Sequence, residues 1–160
     1  MAIEIERKFL VQGDAWRSYA GVSIRQGYLA RERGHSVRVR IAGDRATLTI
    51  KAGTNTLKRS EFEYEIPLAD ASELLALCTH TIEKTRRVVD IDGTTWEVDE
   101  FGGQNAGLVI AEVELESEDQ VFNKPSWIGR EVTDDSRYLN SELVAHPFET
   151  WVDSSGNHKL

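Results

Sequence analysis

The stretch AIEIERKFL, residues 2 to 10, decides the fold because apolar and charged residues alternate along most of its length. Side chains two positions apart in a β-strand point to the same face. Ile3, Ile5 and Phe9 therefore share one face, and the charged residues Glu4, Glu6 and Lys8 share the opposite one. This pattern is typical of a strand with one apolar, buried face.

The same period of two recurs along the chain and predicts seven further strands. They cover residues 24–30, 36–42, 46–52, 57–68, 81–91, 95–101 and 108–116. Glycines in the connections, such as Gly43, Gly53 and Gly93, can supply the positive φ angles that hairpins need. The sequence therefore predicts a mainly β (α+β) fold of antiparallel strands. An eight-stranded barrel is favoured because closure leaves no exposed edges.

Helical periodicity is the exception. The clearest case is residues 71–78, for which Asp70 is a plausible N-cap. Weaker signals lie at 14–19, 118–122 and 136–144. Nothing resembling a linker or repeat divides the chain, so we expect a single domain over residues 1–150 followed by a polar tail over 151–160.

Composition limits the classes of partner. The 160 residues include 19 Lys and Arg against 27 Asp and Glu, a net charge of −8 that disfavours nucleic acid and anionic membranes. No window approaches the roughly 18 consecutive apolar residues of a membrane span. The one cysteine, Cys78, lies in an apolar run and is expected to be a buried structural residue. We expect a cytoplasmic protein.

Charged residues occupy the polar face of nearly every predicted strand, and their signs segregate strand by strand. The basic rows are Arg38 with Arg40, Lys51, and Lys84 with Arg86; the acidic rows are Glu61 with Glu63, Glu97 with Asp99, and Glu112 with Glu114. One interpretation is an ordinary solvated sheet face. The other is an enclosed space, since the opposite faces hold enough apolar residues to form an outer layer that helices could cover.

The enclosed interpretation has chemical consequences. Unpaired buried charges are costly, so stability alone would not select them. Arg and Lys suit phosphate oxygens, whereas neighbouring carboxylates would repel them. Divalent cations such as Mg²⁺ or Mn²⁺ reconcile the two sets because they bind carboxylate and phosphate oxygens together. The residues therefore predict a metal-dependent site for a compact polyanion.

An ordered set of motifs gives this pattern a family resemblance. Glu4-Ile5-Glu6-Arg7-Lys8 is similar to the E-x-E-x-K signature of the CYTH superfamily, the triphosphate tunnel metalloenzymes. Over residues 2 to 145, further matches to small bacterial members are Gln26-Gly27-Tyr28-Leu29, Arg38-x-Arg40, Thr49-x-Lys51, Arg59-x-Glu61-x-Glu63, Glu83-Lys84-Thr85-Arg86, Asp99-Glu100-Phe101, Glu112-x-Glu114 and Tyr138-x-Asn140. One departure is that Arg137, Leu139 and Ser141 flank Tyr138 and Asn140, where those members often carry lysines.

The resemblance implies a barrel that forms a tunnel, with helices packed outside it and at one end. It also implies a triphosphate substrate and Mg²⁺ or Mn²⁺. The net negative charge argues against a nucleic-acid or membrane partner, and a homodimer is possible. The implied substrate-binding residues are Lys8, Arg38, Arg40, Lys51, Lys84 and Arg86. The implied metal-binding residues are Glu4, Glu6, Glu61, Glu63, Asp99, Glu112 and Glu114. Lys84 and Tyr28 are candidates for assisting the leaving oxygen.

Several functions fit the resemblance. Inorganic triphosphate is the preferred substrate because the chain shows no clear aromatic pocket for a base or thiazole ring. Class IV-type adenylate cyclase and thiamine triphosphatase are the alternative enzymes, since they use the same triphosphate clamp. A non-catalytic module that binds polyphosphate or phosphometabolites is the alternative of another class.

Overall fold

Across residues 3–151, which the structure describes, a computed structural model shows nine β-strands, two α-helices and four short 3₁₀ segments. The strands are β1 (Ile3–Val11), β2 (Gly21–Glu32), β3 (His35–Ala42), β4 (Arg45–Ala52), β5 (Lys58–Glu65), β6 (Thr81–Ile91), β7 (Thr94–Phe101), β8 (Val109–Glu114) and β9 (Ile128–Glu131). The helices are α1 (Leu68–Leu77) and α2 (Asn140–Leu143); the 3₁₀ segments are Ala15–Ser18, Gly103–Asn105, Ser136–Tyr138 and Phe148–Thr150.

Eight of these strands close into an antiparallel barrel in the order β5-β4-β3-β2-β6-β7-β8-β1, with β1 also paired to β5. One edge of β1 pairs with β8 along Glu6 to Leu10. Its other edge is shared, since β5 pairs with Ile3 to Ile5 and β9 pairs farther along, at Phe9 and Val11. The predicted eight-stranded barrel is confirmed, and the short β9 is an addition to it.

Most of the apolar core lies outside the barrel. The outward residues Phe9, Trp96 and Val113 pack with Trp16 and Trp127, which come from segments that cross the outer wall. On another side, α1 covers Val39 and Ala46 with Ala71 and Leu75. Burying a large apolar side chain contributes about 1.5–3 kcal/mol, so these outer layers stabilise the barrel and leave its interior for polar groups.

The C-terminal segment, residues 132–151, closes one end of the barrel from within. The inward residues Ile82, Phe101 and Ile110 form an apolar floor at this end. Against it pack Val132, Tyr138, Leu143, Phe148 and Trp151. Tyr138 is fully buried, and its ring meets that of Trp151 edge to face with centroids 5.1 Å apart. The charged part of the interior is thereby sealed from solvent on this side.

The structure corrects several of the predicted bounds of strands and helices. The predicted strand over residues 57–68 ends at Glu65 because Pro67 cannot donate to a ladder. Helix α1 begins at Leu68, directly after Pro67, instead of after Asp70, whose carboxylate lies in the first turn. Residues 14–19 form only a 3₁₀ turn, and 136–144 form a 3₁₀ turn followed by α2.

The helix predicted at residues 118–122 is wrong, since this stretch is a turn followed by an irregular segment. The turn glycines behave as predicted, because Gly43 and Gly93 have φ angles of 60° and 78°. Residue 2 of the first predicted strand and nearly all of the tail predicted at 151–160 lie outside the described residues. Over residues 3–151, no helix has the length and apolar character needed to span a bilayer.

Candidate active site

The inward rows of the strands meet in a charged cavity in the middle of the barrel. Its volume is about 40 Å³, room for only a few water molecules, because side chains reach across it and pair with one another. The lining residues are Glu6, Lys8, Tyr28, Ser36, Arg38, Arg40, Thr49, Lys51, Arg59, Lys84, Arg86, Glu112, Leu139, Asn140 and Ser141.

Two lysines on one side of the cavity each bind two carboxylates. Lys8 Nζ lies 2.7 Å from Glu112 Oε1 and 2.8 Å from Glu6 Oε1. Although burial alone would lower it, the pKa of Lys8 is raised because these two carboxylates face the ammonium group. Lys51 Nζ lies 2.9 Å from Glu4 and 3.3 Å from Glu61. Each lysine thus bridges two carboxylates that come from different strands.

Asp99 organises the opposite side of the cavity. Its fully buried carboxylate accepts hydrogen bonds from Lys84 Nζ at 2.7 Å, Arg86 Nε at 2.7 Å and Arg86 Nη2 at 2.8 Å. Burial opposes the charged form, but the two cations hold the pKa of Asp99 below its usual range. Burial lowers the pKa of Lys84, and the positive charges of Arg86 and Arg40 lower it further. Asp99 raises it, but the lowering effects are larger, and the pKa of Lys84 is about 7.

Arg40 is a deeply set guanidinium without a carboxylate partner. Within residues 3–151 it makes no ion pair, and its Nε donates instead to Gln26 Oε1 at 2.8 Å. Burial and the positive charges of Arg38 and Arg86 lower the pKa of Arg40 to about 10.

Arg38, next to Arg40 in the cavity, also has a hydrogen-bond donor that is available to an anion. Its Nη2 donates to Thr49, while its Nε is buried with no hydrogen-bond partner among the described residues. An excess of positive charge and unused donors at one point of the interior is the arrangement that an anion satisfies.

The carboxylates have the chemistry of a site for a hard divalent cation, but they are not arranged as one. No group of three His, Cys, Asp or Glu side chains within residues 3–151 has the geometry of a metal site. Burial raises the pKa of Glu4, Glu97 and Glu114, and neighbouring carboxylates raise it further. These oxygen donors fit Mg²⁺ or Mn²⁺, and a cation would relieve their mutual repulsion.

The structure brings most of the residues predicted for the site together. All six basic residues line the cavity, as do Tyr28, Glu6 and Glu112. Glu4, Glu61 and Asp99 stand directly behind the lining and pair with its cations. Glu63 is half-exposed, with an oxygen 3.7 Å from Arg38 Nη2, and Glu114 pairs in register with Glu6.

The sequence argument assigned no role to several residues of the site, of which four pair with its charged groups. Arg59 lines the cavity and lies 3.5 Å from Glu4, and its inward position in the row of Glu61 and Glu63 could have revealed it. Glu97, which contacts Arg86, lies in the row of Asp99. Gln26 and Asn140 are uncharged, so a search for charged rows could not find them.

Comparisons with known proteins agree with this geometry. The profile of the CYTH domain matches residues 2–145. A curated protein of Acetivibrio thermocellus, named inorganic triphosphatase, is 53% identical over 154 residues, which cover 94% of this chain and 99% of that protein. One of Nitrosomonas europaea, with the same name, is 39% identical and covers 88% of this chain and 96% of its own length. The crystal structure of an inorganic triphosphatase aligns with a TM-score of 0.67 at 36% identity, over 90% of this chain and 95% of that one.

Proposed function

This chain belongs to the CYTH domain family, and on that premise we propose that it is a metal-dependent triphosphatase that hydrolyses inorganic triphosphate to pyrophosphate and phosphate. The observation that carries the proposal is Arg40, a deeply set guanidinium with no carboxylate partner within residues 3–151, beside Arg38 and Arg86. A bound polyanion would supply the missing negative charge. The names of the curated relatives support inorganic triphosphate as that anion.

Substrate binding exchanges partners inside the barrel. In the structure, carboxylates pair with Lys8, Lys51 and Arg86. When the substrate binds, triphosphate oxygens replace those carboxylates as the partners of the three cations. These ion pairs line the cavity and reach across it, so the pairs separate as the substrate enters. The full phosphate clamp in this proposal is Lys8, Arg38, Arg40, Lys51, Lys84 and Arg86.

The carboxylates released by this exchange hold the metal. The proposed ligands, or positioners of the attacking water, are Glu4, Glu6, Glu61, Glu63, Asp99, Glu112 and Glu114. A bound Mg²⁺ or Mn²⁺ polarises phosphoryl oxygens and lowers the pKa of a bound water. Because metal and substrate each satisfy one half of the present ion pairs, the two are expected to bind more tightly together than separately.

The reaction is an in-line displacement at the terminal phosphorus. A water oxygen forms the new P–O bond while the bridging P–O bond breaks, and pyrophosphate leaves. The clamp neutralises the charge on the equatorial oxygens, so positioning and electrostatics supply most of the catalysis. Lys84, whose pKa of about 7 suits proton transfer near neutral pH, and Tyr28 are the candidates that protonate the leaving oxygen.

The lining favours inorganic triphosphate over triphosphates with an organic part. Tyr28 is the one aromatic side chain among the lining residues that the structure describes, so the cavity offers little for a base or thiazole ring to stack on. The activity assay described next therefore has to distinguish an inorganic triphosphatase from the two alternatives, an adenylate cyclase and a thiamine triphosphatase. Cytoplasmic location, a homodimer and a single domain over residues 1–150 stay predictions.

The decisive experiment measures phosphate release from inorganic triphosphate, ATP, thiamine triphosphate and pyrophosphate, each with Mg²⁺, with Mn²⁺ and with chelator. Metal-dependent cleavage of inorganic triphosphate well ahead of the others is expected. Cyclic AMP formed from ATP would indicate a cyclase instead. Tight binding of triphosphate without any product would mean that the barrel is a binding module.

Two variants then separate the candidate proton donors. Lys84→Met and Tyr28→Phe each remove one candidate, and the variant of the true donor should lose kcat more than triphosphate affinity. The matched control is Arg45→Gln, because Arg45 is exposed and pairs with Glu65 away from the cavity. If both variants keep the wild-type kcat, neither side chain protonates the leaving oxygen.

A further inference from the structure

Asn140, the first residue of α2, is an uncharged side chain among the charged residues of the cavity, and two donors meet at its oxygen. Lys84 Nζ donates to Asn140 Oδ1 at 2.9 Å, and Gln26 Nε2 donates to the same oxygen at 3.0 Å. Gln26 is fully buried, and its own Oε1 accepts from Arg40 Nε. Asn140 is thereby joined to two cations of the proposed phosphate clamp.

These hydrogen bonds fix the direction in which the amide group faces. A carboxamide oxygen accepts and its nitrogen donates, so turning the group over would set N–H groups against the Lys84 ammonium. Asn140 Nδ2 makes no hydrogen bond within residues 3–151, and Asn140 lines the cavity. Its two N–H groups are therefore available to a ligand in that cavity.

The backbone that carries Asn140 is held firmly. Tyr138 and Leu143, on either side of it, are 0% and 1% exposed and pack into the apolar floor at the closed end of the barrel. A donor fixed by its neighbours loses little conformational entropy when it binds a ligand. The C-terminal segment thus presents one preoriented, uncharged donor to the cavity.

We propose that Asn140 binds a phosphoryl oxygen of the substrate through Nδ2 while Oδ1 positions the Lys84 ammonium group. The inference deepens the proposed triphosphatase function and rests on it. It makes the C-terminal segment part of the active site as well as the closure of the barrel. An uncharged donor also adds a phosphate contact without adding to the positive charge around Arg40.

Two substitutions separate the two halves of this role. Asn140→Asp keeps an oxygen for Lys84 and Gln26 but exchanges the N–H donors for a charged oxygen that repels phosphate, so the KM for inorganic triphosphate should rise about 10- to 100-fold with a smaller change in kcat. Asn140→Ala removes both contacts, so kcat should fall as well. The control is Glu142→Gln on the same helix, which alters a half-exposed contact with Arg31 and should leave both constants unchanged.

Calorimetric titration of inorganic triphosphate into each protein in chelator provides a readout without turnover. Both Asn140 variants should bind more weakly than wild type and the Glu142→Gln protein. Wild-type binding and kinetics in both would overturn the proposal. The proposal would also be overturned if Asn140→Asp kept the wild-type KM while the activity lost in Asn140→Ala simply followed a lowered melting temperature. Asn140 would then only hold the C-terminal segment in place. If wild type binds triphosphate but cleaves none, the proposed function fails while the titration still decides the role of Asn140.

Discussion

Replacing Asp99 by asparagine removes one negative charge from the most deeply buried ionic group of the cavity. Asp99 is 0% exposed and accepts three hydrogen bonds from Lys84 and Arg86. The amide has the same shape but no charge, so two buried cations lose their shared partner. Removing one member of a buried ion pair costs about 3–5 kcal/mol. For a domain of this size each kcal/mol lowers Tm by about 2–4 °C, so we expect Tm to fall by about 6–20 °C.

The same reasoning predicts that the substrate restores part of the thermal stability that Asp99→Asn loses. Inorganic triphosphate supplies negative charge to Lys84 and Arg86, so it should raise the Tm of Asp99→Asn by more than it raises that of wild type. The assay is thermal unfolding followed by circular dichroism, with and without triphosphate, in chelator. Because Asp99 raises the pKa of Lys84, its removal takes that pKa below the wild-type value of about 7. The unfolding scans are therefore compared at two pH values, and Arg86, which stays protonated at both, still gains a partner from the triphosphate.

A matched surface change controls for the loss of a carboxylate as such. Asp90→Asn alters an exposed carboxylate on β6 that bonds only to Thr95 among the described residues, and should change stability by less than about 0.5 kcal/mol. Two results would refute the reasoning about Asp99. One is a Tm equal to that of Asp90→Asn, and the other is an equal triphosphate shift in Asp99→Asn and wild type.

Three further predictions concern the metal, the anion and pH. Glu6→Gln should abolish metal-dependent phosphate release while circular dichroism shows an intact fold; wild-type activity in the folded variant would contradict the metal set. Arg40→Ala should weaken triphosphate binding about 100-fold in a calorimetric titration, and an unchanged Kd would show that the anion binds elsewhere. Glu131→Gln should lower the free energy of unfolding by about 1 kcal/mol at pH 7, because Glu131 accepts two hydrogen bonds from Arg7. Arg7 lowers the pKa of Glu131 in the folded state, so this contribution exists above about pH 4.5 and is lost as pH falls through the folded pKa; a difference from wild type that is the same at pH 7 and pH 3.5 would disprove it.

The barrel and its inward charges were predictable because strand geometry ties sequence spacing to direction. Once Glu4, Glu6 and Lys8 share a face, the apolar residues between them must face the other way. The segregation of sign by strand then indicated phosphate and metal chemistry. The same rule would have found Arg59, which shares the inward row of Glu61 and Glu63.

Tertiary contacts that leave no local periodicity could not be predicted. Strand β9 has only four residues and exists because β5 leaves part of the β1 edge unpaired. Gln26 and Asn140 lie in motifs of the family resemblance, but their roles became visible only where the C-terminal segment folds back into the barrel and sets their amide groups against Lys84 and Arg40. The error over residues 118–122 arose because a short polar run near apolar residues resembles a helix when its neighbours in space are unknown.

The apolar layers lie outside the barrel and the ionic cavity lies inside, so each strand carries two incompatible sets of side chains. Deleting a single residue from the middle of β6 would turn Lys84 and Arg86 toward the outer core and bring apolar side chains into the cavity. Insertions and deletions are therefore expected to be tolerated only in the connections between strands, such as the segment between β8 and β9. Exchange of inward side chains leaves the outer layers intact, so this architecture can diversify its substrates by point substitution at constant strand length.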